Sequence, residues 1–65
     1  MKINTLKILL LLAEQQMTKT DLAGRSGVSR QNISTILGRG TCAPQTAGKL
    51  AKGLGVKLEE IIKEV

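Results

Sequence analysis

The chain has 65 residues and a net charge of +5, with one cysteine, no histidine and no aromatic residue. This length allows one domain near the lower limit for independent folding, and the lone Cys42 excludes an internal disulfide. The missing residue types remove the commonest general base, a structural zinc site and the aromatic rings on which single-stranded nucleic acid usually stacks, so we expect no enzyme, no metal and no cofactor.

The first predicted helix runs from about Asn4 or Thr5 to Gln15 and has two apolar stripes, whereas a surface helix of a small bundle needs only one. The first stripe contains Ile8, Leu11 and Leu12, and the second contains Leu6, Leu9, Leu10 and Ala13. We favour a central helix that all the other helices contact. The alternative is that the second stripe forms a subunit contact.

The apolar run in this helix also bears on localisation. It extends from Ile8 to Ala13, whereas crossing a bilayer takes roughly 20 apolar residues. Lys2 and Lys7 precede the run as in a signal peptide, but no small-residue cleavage site follows. We therefore expect a cytoplasmic protein with no membrane partner.

The second helix is predicted to begin after Thr18, which can act as an N-cap with Asp21 three residues later. It ends near Arg25 or Ser26. Gly24 lies within it and weakens the helix, so we expect close packing there. Gly27 follows, and it can take the left-handed conformation that ends many helices.

The third helix is predicted from about Arg30 to Leu37, with Val28 filling the corner and Ser29 as the N-cap. The corner between the second and third helices is typical of a helix-turn-helix, here about residues 18–38. The inward residues of the third helix are Ile33, Ile36 and Leu37, and its outward residues are Arg30, Gln31, Asn32, Ser34 and Thr35. Gly38, Arg39 and Gly40 then lead into a loop.

Two more helices are predicted from apolar stripes at helical spacing. Pro44 is suited to the first position of the fourth helix, and Gly55 to its end. The stripe of the fourth helix is Ala47, Leu50, Ala51 and Leu54, and that of the fifth is Leu58, Ile61, Ile62 and Val65. Neither stripe explains Gly48 or Gly53 in the fourth helix.

The outward face of the third helix has the chemistry needed to read DNA bases. A helix fits the major groove, where Gln and Asn can pair with adenine, Arg with guanine, and a Thr methyl group with thymine. The candidates are Arg30, Gln31, Asn32 and Thr35. The surrounding segment is positively charged and would attract a polyanion, because Asp21 is the only acidic residue between Lys19 and Lys57. The alternative interpretation is an ordinary solvated helix face.

These features together resemble the phage repressor and Cro-like (XRE) helix-turn-helix family. The resemblance covers about residues 5 to 65 and rests on residues 18–23 (TKTDLA), residues 27–34 (GVSRQNIS), Pro44 and residues 50–56 (LAKGLGV). It implies an all-α, compact five-helix, lambda-repressor-like DNA-binding domain that occupies residues 1–65. The recognition helix would be about residues 29–38.

The resemblance also implies roles for individual residues. Arg30, Gln31, Asn32 and Thr35 match base-reading positions. The phosphate contacts would come from Lys19, Ser29, Ser34, Arg39 and Thr41. Lys57 stands where the family often has a Ser or Asp that caps the last helix, so we expect that helix to begin loosely.

The sequence therefore predicts a transcriptional regulator that binds a double-stranded, palindromic operator as a homodimer. It shows no small-molecule ligand domain. The expected dimer contact is the last helix, through Leu58, Ile61, Ile62 and Val65, and the second stripe of helix one is the alternative. Two other functions remain open: the antitoxin of a toxin–antitoxin pair and a helical protein-binding adaptor. Cys42 is expected to be incidental, with a redox switch as its alternative.

Overall fold

Four α-helices follow one another in residues 1–63, the part of the chain that this computed structural model describes. They are α1 (Thr5–Glu14), α2 (Lys19–Ser26), α3 (Arg30–Arg39) and α4 (Pro44–Leu54), and a 3-10 turn follows at Leu58–Glu60. The predicted all-α class is confirmed. The predicted bounds of α1, α2 and α4 agree closely with the structure, whereas α3 continues to Arg39 and ends at Gly40.

The ends of α2 and α3 are fixed by the predicted caps. The Thr18 hydroxyl oxygen accepts from the backbone N–H of Asp21 (3.1 Å), and the Asp21 carboxylate accepts from the backbone N–H of Thr18 (3.0 Å). This N–H, helped by Arg25, lowers the pKa of Asp21. Gly27 has a φ of 77°, and the Ser29 hydroxyl accepts from the N–H of Asn32. Local signals therefore set the whole corner between α2 and α3.

The predicted fifth helix is wrong: up to residue 63, where the described part of the chain ends, only the 3-10 turn forms. Lys57 offers no side-chain cap, and its N–H instead donates to the Glu60 carboxylate at 3.1 Å. Ile62 then forms an antiparallel bridge with Ile3, which takes the chain out of helical conformation. Val65, the last member of the predicted stripe, lies outside the described residues.

An extended N-terminal segment, Met1–Asn4, lies between two other parts of the chain. On one side, the N–H of Ile3 donates to the carbonyl of Gly40 at 2.9 Å. On the other, the N–H of Asn4 donates to the carbonyl of Ile61 at 2.7 Å. The side chain of Ile3 is only 2 % exposed. The segment thus contributes to the core and holds the two ends of the described chain together.

The core uses one stripe of α1 and leaves the other outside. Its buried side chains are Ile3, Ile8, Leu11, Leu12, Met17, Leu22, Val28, Ile33, Ile36, Ala47, Leu50, Ala51, Leu54 and Ile61. On the other side of α1, Leu6 is 65 % exposed, Leu9 46 % and Leu10 50 %. The prediction that α1 is a central helix is therefore wrong, because the other helices cover only half of it.

Helix α2 packs extensively against α4, and Gly53 is at this contact. A Cβ atom at Gly53 would lie 2.9 Å from the Cβ of Ser26 and 3.0 Å from the backbone nitrogen of Ser26. Gly53 therefore allows the two helices to approach closely. The expected close packing at Gly24 is wrong, since a Cβ there would meet no atom within 4 Å, and the same holds for Gly48.

The end of α1 contains a residue in a strained conformation. Gln16 has a φ of 51°, which is left-handed, and the N–H of Met17 donates back to the carbonyl of Leu12 at 2.8 Å. This is the hydrogen bond of a helix end at which glycine is preferred. Gln15 secures the same corner, because its side-chain N–H donates to the carbonyl of Leu54 at 2.7 Å.

We expect the substitution Gln16→Gly to stabilise the protein. A left-handed residue with a side chain costs roughly 1–2 kcal/mol, and the flexibility of glycine in the unfolded chain returns part of it. The expected gain is about 1 kcal/mol, which corresponds to a rise of about 4–8 °C in the melting temperature. Thermal unfolding followed by circular dichroism measures it. Gln16→Ala is the control and should bring no such gain; a lower melting temperature for Gln16→Gly would contradict the expectation.

Candidate nucleic-acid interface

One face of α3 is anchored in the core, and the other is open to solvent. Ile33 and Ile36 are buried, together with Val28 in the preceding turn. The five outward side chains named from the sequence are all exposed: Arg30, Gln31, Asn32, Ser34 and Thr35. The structure therefore places the four candidate base-reading residues on one rigid, polar helix face.

One of these side chains already has an internal hydrogen-bond partner. The Thr35 hydroxyl donates to the backbone carbonyl of Gln31 at 3.0 Å. Its proton is thus used within the helix, while its oxygen can still accept and its methyl group can make apolar contacts. Among the base contacts named above, the one that fits Thr35 in this state is with a thymine methyl.

The candidate phosphate-contacting residues fall in two places. Lys19 is the first residue of α2, and Ser29 and Ser34 belong to the cap and exposed face of α3. The Ser29 hydroxyl oxygen already accepts the cap hydrogen bond from Asn32. Arg39 and Thr41 lie farther along the chain, at the end of α3 and just beyond it, where both are exposed.

Arg39 and Thr41 meet at a basic cavity of about 450 Å³. Lys2 and Lys63 also line this cavity, although neither was predicted to be a site residue. The bridge between Lys2 and Thr41 brings the first lysine there, and the hydrogen bond from the Lys63 N–H to the Lys2 carbonyl (3.1 Å) brings the second. Among residues 1–63, none of the side chains that line the cavity is acidic. The cavity thus brings three cationic side chains together.

The residues predicted to form the dimer contact do not share an open face. Ile61 is 0 % exposed and belongs to the core of its own protomer. Leu58 and Ile62 are half-buried, and Leu58 packs against the core. Within the described residues, the predicted stripe therefore provides no exposed apolar face for a dimer contact.

Cys42 directly follows Thr41, which lines the basic cavity, and its side chain is half-buried. Burial raises the pKa of its thiol above the usual value. Because the thiolate is the reactive form, the environment makes this cysteine less reactive at neutral pH than an exposed one.

Two further features of the described residues concern metal sites and membrane spans. Residues 1–63 contain no group of three or more His, Cys, Asp or Glu side chains placed to hold a metal ion. In the same residues, every helix is too short or too polar to span a bilayer.

Comparison with known proteins gives one result on the family. The family model described as a Cro/C1-type HTH DNA-binding domain matches residues 7–65. Comparisons with curated proteins and with solved structures find no significant match. The family match spans most of the chain and includes α2, α3 and the turn between them, in agreement with the resemblance seen in the sequence. The chain therefore belongs to the Cro/C1-type helix-turn-helix DNA-binding domains.

Proposed function

We propose that this chain is a sequence-specific transcriptional regulator of the repressor or Cro-like type, acting as one domain over residues 1–65, with α3 in the major groove of its operator. The observation that supports this most strongly is the face of α3. Arg30, Gln31, Asn32 and Thr35 are exposed on a helix whose opposite side is fixed in the core. Such a helix can present hydrogen-bonding groups to base edges without first having to become ordered.

The phosphate contacts in this proposal fix the register of the protein and carry no sequence information. They come from Lys19, Ser29, Ser34, Arg39 and Thr41. The cavity adds Lys2 and Lys63, so that the basic surface continues from the end of α3 to the N-terminal segment. Each phosphate neutralised releases counterions and makes binding more dependent on salt.

The operator in this proposal is palindromic, and the protein binds it in the cytoplasm as a homodimer. One recognition helix contacts only a few base pairs. A symmetric dimer presents two such helices to half-sites about 34 Å apart along the duplex, which doubles the contacts. The protein has no catalytic role, and operator binding is its activity.

Selection of binding sites from random duplex DNA tests the proposed function. We expect an enriched palindrome whose half-sites are about 10–10.5 base pairs apart, centre to centre. Enrichment of a single asymmetric half-site would support base reading by α3 but would contradict binding as a dimer. Failure to enrich any sequence, while bulk duplex still binds, would contradict base reading by α3.

We further expect Lys2→Gln to weaken binding and to reduce its dependence on salt. If Lys2 neutralises one phosphate in each protomer, the slope of log affinity against log salt for the dimer should become shallower by about 1.8, twice the value of about 0.9 for one phosphate. Titration of the selected operator at several salt concentrations measures that slope. Lys52→Gln removes the same charge from a residue that does not line the cavity, and it serves as the control. An unchanged slope for Lys2→Gln would show that the N-terminal segment is not part of the DNA interface.

A further inference from the structure

Helix α1 has an apolar face that no other part of the described chain covers. Leu6, Leu9 and Leu10 are about half exposed or more, and Ala13 is exposed beside them. At about 100° per residue, these four positions form a stripe about 100° wide. The buried residues of α1 (Ile8, Leu11 and Leu12) lie on the other side. Exposed leucines in such a stripe are typical of an interaction surface.

We propose that this stripe binds the same stripe of a second copy of the chain, with the two α1 helices antiparallel. The two-fold axis would pass between Leu9 and Leu10. The proposal rests on the homodimer proposed above and names its contact surface. The stripe of α1 replaces the last helix as the expected dimer contact, since Ile61 is fully buried within its own protomer.

The spacing of the stripe supports an antiparallel pair. The steps from Leu6 to Leu9, Leu10 and Ala13 are three, one and three residues, so the pattern is the same in both directions. A symmetric dimer needs such a self-complementary surface. With the axis between Leu9 and Leu10, each of these two leucines faces its own copy in the partner, about 1.5 Å away along the helix axis. Leu6 then opposes the small Ala13, which leaves room for its side chain.

The charges beside the stripe support the same arrangement. Lys7 and Glu14 lie on one flank of α1, roughly 90–110° from the centre of the stripe. Two-fold symmetry about the proposed axis places Lys7 about 3 Å along the helix axis from Glu14 of the partner subunit. The dimer thus gains two identical ion pairs. A parallel pair would separate these residues by about 10 Å along the axis.

Charge reversal tests the ion pairs. We expect Lys7→Glu and Glu14→Lys each to weaken the dimer about tenfold or more, because every such change replaces two attractions by two repulsions. The double variant should restore the wild-type dimer affinity. Light scattering over a range of concentrations gives the dissociation constant, and circular dichroism checks the fold. Failure of the double variant to recover would overturn the antiparallel register.

Cysteine cross-linking tests the geometry independently, in a Cys42→Ser background. Two Leu10→Cys chains would hold their cysteines about 1.5 Å apart along the helix axis, so they should form a disulfide on mild oxidation. Two Leu6→Cys chains would be about 10 Å apart and should not. A mixture of Leu6→Cys and Ala13→Cys chains should cross-link. Efficient cross-linking of Leu6→Cys alone would overturn the arrangement.

Leu10→Glu tests the surface as a whole, and its outcomes separate this proposal from the proposed function. We expect a folded monomer that still prefers the selected half-site. A folded variant that remains a dimer would overturn the α1 surface and leave base reading by α3 intact. A wild-type chain that is monomeric alone and on its operator would also overturn it.

Discussion

Replacing Gln31 by Ala should weaken binding to the selected operator by about 5- to 150-fold for each half-site. This range corresponds to about 1–3 kcal/mol, the usual worth of a bidentate contact between an amide side chain and adenine. Gln31 is exposed and lies in the first turn of α3. Because Ala cannot discriminate between bases there, preference should relax at one base pair of each half-site. Gel-shift titrations against operators varied at single positions measure both effects.

Lys19→Ala is the contrasting variant for this experiment. Lys19 is placed to contact phosphate, so its loss should weaken all DNA sequences by a similar factor and leave the order of preference unchanged. A loss of preference at one base pair for Gln31→Ala and a uniform loss of affinity for Lys19→Ala would distinguish a base-reading residue from a phosphate-contacting one. If Gln31→Ala kept both the affinity and the preference of the wild type, Gln31 would not read a base.

Replacing Gly53 by Ala should destabilise the protein by about 1–3 kcal/mol. The added methyl group would lie 2.9 Å from the Cβ of Ser26 and 3.0 Å from the backbone nitrogen of Ser26. Neither atom belongs to a flexible side-chain end, so α2 and α4 must move apart, and overpacking of this kind carries such a cost. The better helix propensity of Ala recovers up to about 1 kcal/mol. We expect the melting temperature to fall by several degrees or more, because 1 kcal/mol is worth about 4–8 °C at this chain length.

Gly48→Ala is the matched control, since it makes the same chemical change in the same helix. A methyl group at Gly48 would meet no atom within 4 Å. Only the gain in helix propensity remains, so Gly48→Ala should stabilise the protein by up to about 1 kcal/mol. Thermal unfolding of the two variants should therefore give shifts of opposite sign. A stabilised Gly53→Ala variant would show that the two helices can separate there at little cost.

Sequence reasoning succeeded where structure depends on near neighbours along the chain. The caps at Thr18 and Ser29 and the left-handed Gly27 all act within a few residues, so they could be recognised directly. The exposed polar face of α3 followed from helical spacing for the same reason.

Sequence reasoning failed where distant segments meet. Leu58, Ile61 and Ile62 have helical spacing, but Ile62 pairs with Ile3, and no local pattern reveals that competition. Lys2 reaches the basic cavity because it belongs to the same N-terminal segment. A single buried isoleucine among polar residues is too short a signal to predict an extended segment. The contact of Gly53 with Ser26 also depends on how α2 and α4 pack.

The clamped position of Ile3 has a consequence for biosynthesis. Ile3 leaves the ribosome well before the segment around Ile61, which lies against the N-terminal segment in the folded protein. The core therefore cannot close on that side until the segment around Ile61 has left the ribosome, and the apolar side chain of Ile3 lacks this contact until then. Closure of this kind spans nearly the whole sequence, which slows folding relative to helices that dock on near neighbours.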